Sequence, residues 1–229
     1  MSRIIAFLVT IYSCLVPLSP AVADNERTPE TQTQMVVVDS DLFLLGTFDS
    51  YTADMVIQKL ESNEGVERVV FTANGGSNDD RDTLRLGRYI RAQELHTHLI
   101  TDGVAASGGV SLFLAGVERS VGAGAFVGIH AWAQCSRNAS GYQCRSATEF
   151  ERDDEVHDLH RDYIVEMLGD DAFYWFSINA AAHNSIHWLP EEDLHQFQVV
   201  NTDTQLNFSI PFAEAFLAEY EQTCHNCPE

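Results

Sequence analysis

Apolar residues in this chain fall into short runs that alternate between two periods. MVVVDS (35–40) and LFLLGTF (42–48) are β-branched, aliphatic or aromatic runs parted by acidic turn residues, and they predict two strands. Between Tyr51 and Ser62 the spacing of Met55, Val56 and Leu60 changes to that of a helix. The alternation then repeats: a strand over Arg68–Ala73, a helix over Asp80–Leu95, a strand over His96–Thr101 and a helix over Val110–Val117. Short strands follow at Arg119–Val121 and Ala125–Ile129. A long charged helix is expected over Ala147–Leu168, a further one over Asp171–Ala182, a turn through His183–His187, a short helix over Pro190–Gln196 and a last strand at FQVV (197–200). Strands and helices in alternation imply an α/β domain. There is no internal repeat and no low-complexity tract.

The two ends read differently. Residues 1–23 carry an early Arg3, an apolar run from Ile4 to Val16 and small residues at Ala21 and Ala23, the pattern of a secretory signal peptide. The run is short of the ~20 residues a bilayer span needs, so no stable membrane anchor is expected. Tyr12 stands where a lipoprotein signal ahead of Cys14 would need a small residue. Residues 24–34 form a polar, flexible leader, 35–210 the domain, and 211–229 a terminal helix with a cysteine-containing tail. About two hundred residues make one domain with a sizeable core. The expected location is the periplasm or the outside of the cell.

Charge and cysteines narrow the partners. The formal net charge is −21, which argues against nucleic acid and anionic lipid. It reads as a solvated surface, with attraction of basic substrates as the alternative. Past the signal peptide four cysteines remain, and in an oxidising compartment an even number suggests disulfides. Proximity favours Cys135 with Cys144, closing a polar loop, and Cys224 with Cys227, with other pairings open.

Three segments carry candidate chemistry: NGGS (74–77), DGVAASGG (102–109) and VGIHAW (127–132). Together they supply what acyl transfer requires. Ser107 is a candidate nucleophile at the predicted start of a helix, where free N–H groups favour negative charge. The N–H of Gly108 points toward a developing oxyanion, and Gly76, lacking a side chain, lets a second backbone N–H approach. His130, ending a strand, is the candidate general base. His96/His98 and His157/His160 have spacings that can bind a metal but no third ligand, so no metal site is expected. Trp132, Trp175 and Trp188 read as core or pocket wall.

Asn74-Gly75-Gly76-Ser77, Ala105-Ala106-Ser107-Gly108-Gly109 and Ile129-His130-Ala131-Trp132 resemble, in order and spacing, motifs of the ClpP/crotonase superfamily. The likeness is greatest to periplasmic ClpP-like proteins with a signal peptide, and it covers roughly residues 40–201, through the WLPEEDLHQFQVVN tail. It implies stacked βαβ units in one domain, a serine peptidase acting on peptides or proteins without a cofactor, and packing of subunits into a homo-oligomer. Where the family has its third triad member, an Asp, this chain reads His183-Asn184-Ser185-Ile186-His187. Asn184, then Ser185, are the candidates to orient His130, with Asp170, Asp171 or Asp193 as further ones. A serine–lysine dyad is unfavoured, because the single lysine, Lys59, lies in the first helix. The crotonase branch is unfavoured too, since an exported protein does not meet coenzyme A. The competing expectation is a silent binding or scaffold protein that has kept the fold and lost the acid.

Overall fold

The computed structural model describes residues 33–138 and 141–206. The expected signal peptide, the terminal helix and the Cys224–Cys227 bridge lie outside the described residues, as does nearly all of the expected leader. The elements are β1 (Gln34–Val38), β2 (Asp41–Leu45), α1 (Thr52–Glu61), β3 (Arg68–Asn74), α2 (Asp80–Ala92), β4 (His96–Ala106), α3 (Gly108–Phe113), β5 (Arg119–Val121) and β6 (Phe126–Ile129). There follow β7 (Ala133–Asn138), β8 (Gly141–Ser146), α4 (Asp158–Leu168), α5 (Ala172–Ala180), β9 (His187–Trp188) and α6 (Glu191–Gln196). Seven strands form one sheet in the order β1-β2-β3-β4-β6-β9, with β5 also on β4. β2, β3, β4, β5 and β6 are parallel, while β1 and β9 run antiparallel to their neighbours. The helices joining the parallel strands make stacked βαβ units.

Alternation along the strands sorts their side chains onto two faces. Leu42, Leu44, Val69, Phe71 and Leu99 join the main core with the helices, and the intervening Phe43, Val70 and Ile100 make a smaller cluster on the other face. Helix packing is close enough to require glycine. At Gly87 of α2 a side chain would overlap the ring of Tyr163, a fully buried residue of α4 whose hydroxyl donates to Ser111 O at 2.7 Å.

β4 positions the site. It runs past the expected end at Thr101 to Ala106 and bends at Asp102, whose φ is 55°. Before the bend Thr97–Leu99 pair with β5; beyond it Val104–Ala106 pair with β6. On its other side Ala105 pairs with Asn74 at the end of β3. The segment after β3 then crosses the start of α3. A Cβ at Gly109 would overlap the carbonyl oxygen of Asn74, and one at Gly108 would stand 2.5 Å from Ser77 Oγ.

Four local expectations change. The cysteine loop is a β-hairpin, β7–β8, in which Cys135 and Cys144 face one another and form the disulfide, with Cα atoms 4.0 Å apart. An isolated ribbon is marginal in water, and this covalent tie holds its register. The long helix is broken, because a capping box between Ser146 and Glu149 closes a single turn at Ala147–Glu149 and Asp154 caps another at Glu155–His157. Phe150, extended between them, packs on Trp132 and under the Arg145 guanidinium. α3 begins at Gly108 and ends at Phe113, earlier at both ends than its apolar pattern. FQVV is not a strand: Gln198 has φ 52°, and the buried Arg119 guanidinium donates to the carbonyls of Gln198, Val199 and Gly116.

Two consequences can be measured. Burial, with a smaller push from Arg68, lowers His98 from 6.5 to about 4. The folded state therefore prefers the neutral ring, so its contribution is full above pH 6.5 and is lost as pH falls toward 4, by about 3 kcal/mol in all. Urea unfolding between pH 7 and 4 should show that slope, and His98→Gln should flatten it. Gly109→Ala should cost about 1–3 kcal/mol in the same assay, from overlap with Asn74. Gly65→Ala, with open space around it, should stay within about 0.5 kcal/mol.

Candidate functional site

The ends of β3, β4 and β6 lie side by side, and each releases one of the three motifs. Such a crevice, beyond the carboxyl ends of parallel strands, is where α/β folds bind ligands. Ser107 follows β4 directly and is held there by its own backbone: its N–H donates to Gly128 O at 2.9 Å, and it stands at φ 55° and ψ −123° before α3 turns away. A non-glycine residue in that region is strained by an amount on the order of 1–3 kcal/mol, offset by the sheet and helix that fix it. Gly76 faces the serine. Its φ of 148° suits glycine, and a Cβ there would stand 3.4 Å from Ser107 Cβ and 3.7 Å from Oγ.

His130 follows β6 and lines one cavity with Ser107. Its volume of about 90 Å³ is several times the ~10–15 Å³ that one water needs. Gly108, Asp80, Trp132 and His160 share its walls with buried apolar residues such as Ile164 and Phe173. His130 Nδ1 lies 2.8 Å from Ala131 O. A carbonyl only accepts, so Nδ1 carries the proton and Nε2 the lone pair, which is the tautomer a general base needs. Among the described residues no hydrogen bond joins Ser107 Oγ to His130.

Asn184 and Ser185 are not brought to the ring. Both are exposed in the turn after α5, where Ser185 Oγ donates to Ala182 O at 3.3 Å. The further carboxylates do not line the cavity: Asp170 accepts from Ala172 N, Asp171 accepts from Trp175 Nε1, and Asp193 belongs to the first turn of α6. The partner of His130 is thus the main chain one residue on, a contact that no side-chain pattern announces. Lys59 lies on α1, away from the cavity.

The two helical histidines at 157 and 160 part company. Trp132 Nε1–H donates to Tyr174 Oη (3.1 Å), the Tyr174 hydroxyl donates to His157 Nδ1 (2.6 Å), and His157 Nε2–H donates to Glu151 O (3.1 Å). Each donor in that chain fixes the next, so His157 is a buried structural residue, and burial pushes the Tyr174 pKa up to about 12. His160 instead reaches the cavity, 3.5 Å from Asp80. Burial lowers its pKa and the Asp80 carboxylate opposes that. The sequence offered one signal for this pair: Asp80 comes three residues after the Gly-Gly-Ser turn.

No protein-family model matches the chain, and no curated protein matches it by sequence. Solved structures do. A mutant of the 1510-N membrane-bound stomatin-specific protease superposes with a TM-score of 0.51 at 12% identity, covering 72% of this chain and 78% of that one. A structure described only as an enzyme gives 0.51 at 10% identity over 73% and 96% of the two chains. An enoyl-CoA hydratase from Shewanella pealeana gives 0.46 at 13% identity over 82% and 75%. At such identities the likeness to the two structures at 0.51 is one of fold alone, and with the parallel sheet and its βαβ units it gives the result: the chain has the ClpP/crotonase fold.

Proposed function

We propose that the chain is a serine hydrolase of the peptidase type. The observation that carries the reading is the backbone of Ser107, a non-glycine residue held at φ 55° between a strand and a helix, in one cavity with a histidine whose Nδ1 is already anchored. Ser107 Oγ bonds to the scissile carbonyl carbon as its proton passes to His130 Nε2. The oxyanion accepts from the N–H groups of Gly76 and Gly108. On collapse the C–N bond breaks, His130 returns the proton to the leaving amine, and an acyl-enzyme remains for water to hydrolyse. A neutral carbonyl fixes the His130 tautomer but stabilises its cation less than a carboxylate does, so the rate should be modest for the class.

The working compartment in this reading is the periplasm or the outside of the cell, reached after loss of residues 1–23. The Cys135–Cys144 bridge suits an oxidising compartment. Among the described residues no helix is long and apolar enough to cross a membrane. Peptides or proteins are the substrates, and α4, with Val165 exposed, is the face for assembly into a homo-oligomer. The missing carboxylate on His130 favours a second reading, a silent scaffold of the same fold.

A fluorophosphonate probe separates the two. Wild-type protein should be modified at Ser107, Ser107→Ala not at all, and His130→Ala at least ~100-fold more slowly, as read by mass spectrometry. An unmodified Ser107 in folded wild-type protein would establish the silent scaffold instead, and His130→Ala labelling at the wild-type rate would overturn the role of His130 as base.

A further inference from the structure

Asp80 and His160 are the imidazole–carboxylate pair of the Ser107 cavity, and the reaction as written leaves them idle. His160 Nε2 lies 3.5 Å from Asp80 Oδ2, while Asp80 Oδ1 accepts from Ser77 Oγ at 2.6 Å. The ring of His160 stacks on Trp132, with centroids 5.7 Å apart and planes 16° from parallel. The pair also has a distinctive place. Asp80, Trp132 and His160 line the cavity with Ser107 and His130, and they line the outer groove beside Asn78 and Gln134 as well, whereas Ser107 and His130 border only the first. The Asp80 side chain is 45% exposed and that of His160 19%. The pair therefore belongs both to the nucleophile's cavity and to the groove beside it.

Resting on the hydrolase reading, we infer that His160, oriented by Asp80, is the base that activates the hydrolytic water in deacylation. With Nε2–H toward the carboxylate, Nδ1 holds the lone pair. The water oxygen bonds to the acyl carbon as its proton moves to His160, whose cation Asp80 stabilises in a way the Ala131 carbonyl cannot match for His130. Collapse breaks the C–Oγ bond, and Ser107 Oγ leaves with that proton. His160 is the catalytic residue of this step and Asp80 a positioning residue. Burial lowers the His160 pKa and so favours the neutral ring, the form that accepts a proton. The other ionisable groups on the walls are His130, Tyr163 and Tyr174 within the cavity, with Asp79, Arg81 and Glu155 in the groove.

The test uses the full chain, p-nitrophenyl butyrate as acylating probe, stopped-flow release of nitrophenolate and intact mass. His160→Gln should acylate Ser107 within ~3-fold of the wild-type rate, yet turn over about 100-fold more slowly, with butyryl-enzyme accumulating. Asp80→Asn, at a half-exposed position that tolerates the change, should slow the same step and move its acid limb to lower pH, since the carboxylate holds the His160 pKa up. Asp80→Glu should restore part of the rate. Unchanged deacylation in both His160→Gln and Asp80→Asn, or acylation and deacylation slowed equally, overturns the inference and leaves the hydrolase reading standing. Failure of wild-type Ser107 to acylate overturns both.

Discussion

Everything in the site depends on one bent strand. β4 must serve two neighbours on the same side, β5 with its first half and β6 with its second, and the bend at Asp102–Gly103 lets it do so. Gly103 fits there because a side chain would meet Ile100 and the carbonyl of Thr72 at 2.9 Å. With the bend made, Ala106 pairs with Gly128, Ser107 N–H donates to Gly128 O, and the serine leaves the sheet where His130 follows β6. On the other side of β4, Ala105 pairs with Asn74, so the Gly75–Gly76 turn arrives at the same level. A straight β4 would put the three motifs at different heights.

Close approach is the second constraint. Gly76, Gly108 and Gly109 are the points where the turn after β3 and the start of α3 press together, and the strained serine is held by both. The strain at Ser107 is sustained because the sheet hydrogen bond on one side and α3 on the other leave the backbone no alternative. Charge enters late. The chain is strongly acidic, yet the cavity itself is mostly apolar, with two imidazoles and one carboxylate on its walls. In such surroundings a few well-placed donors and acceptors act with little competition from water.

The sequence made the sheet legible because β1, β2, β3, β5 and β6 lie where short apolar runs stand between turn residues. The Gly-Gly turn, Ser107 and His130 could be read together because glycine next to a strand and a serine opening a helix leave local marks. What could not be read was decided by contacts distant in the chain. Val199 and Val200 have strand-like composition, but Arg119, eighty residues away, gathers the carbonyls around them. Residues 147–157 have helical periodicity, yet capping side chains and the packing of Phe150 on Trp132 break the run. The orientation of His130 by a main-chain carbonyl, and the meeting of Asp80 with His160 across two helices, belong to the same class: backbone atoms carry no residue signature, and partners eighty positions apart need the fold to find each other.

The most direct measurement is a crystal structure of the protein treated with a peptide boronic acid. The account predicts a covalent bond from Ser107 Oγ to boron, one boronate oxygen within about 3 Å of the N–H groups of Gly76 and Gly108, and His130 Nε2 turned to the adduct. An empty Ser107, or a boronate whose oxygen faces neither glycine, would contradict it.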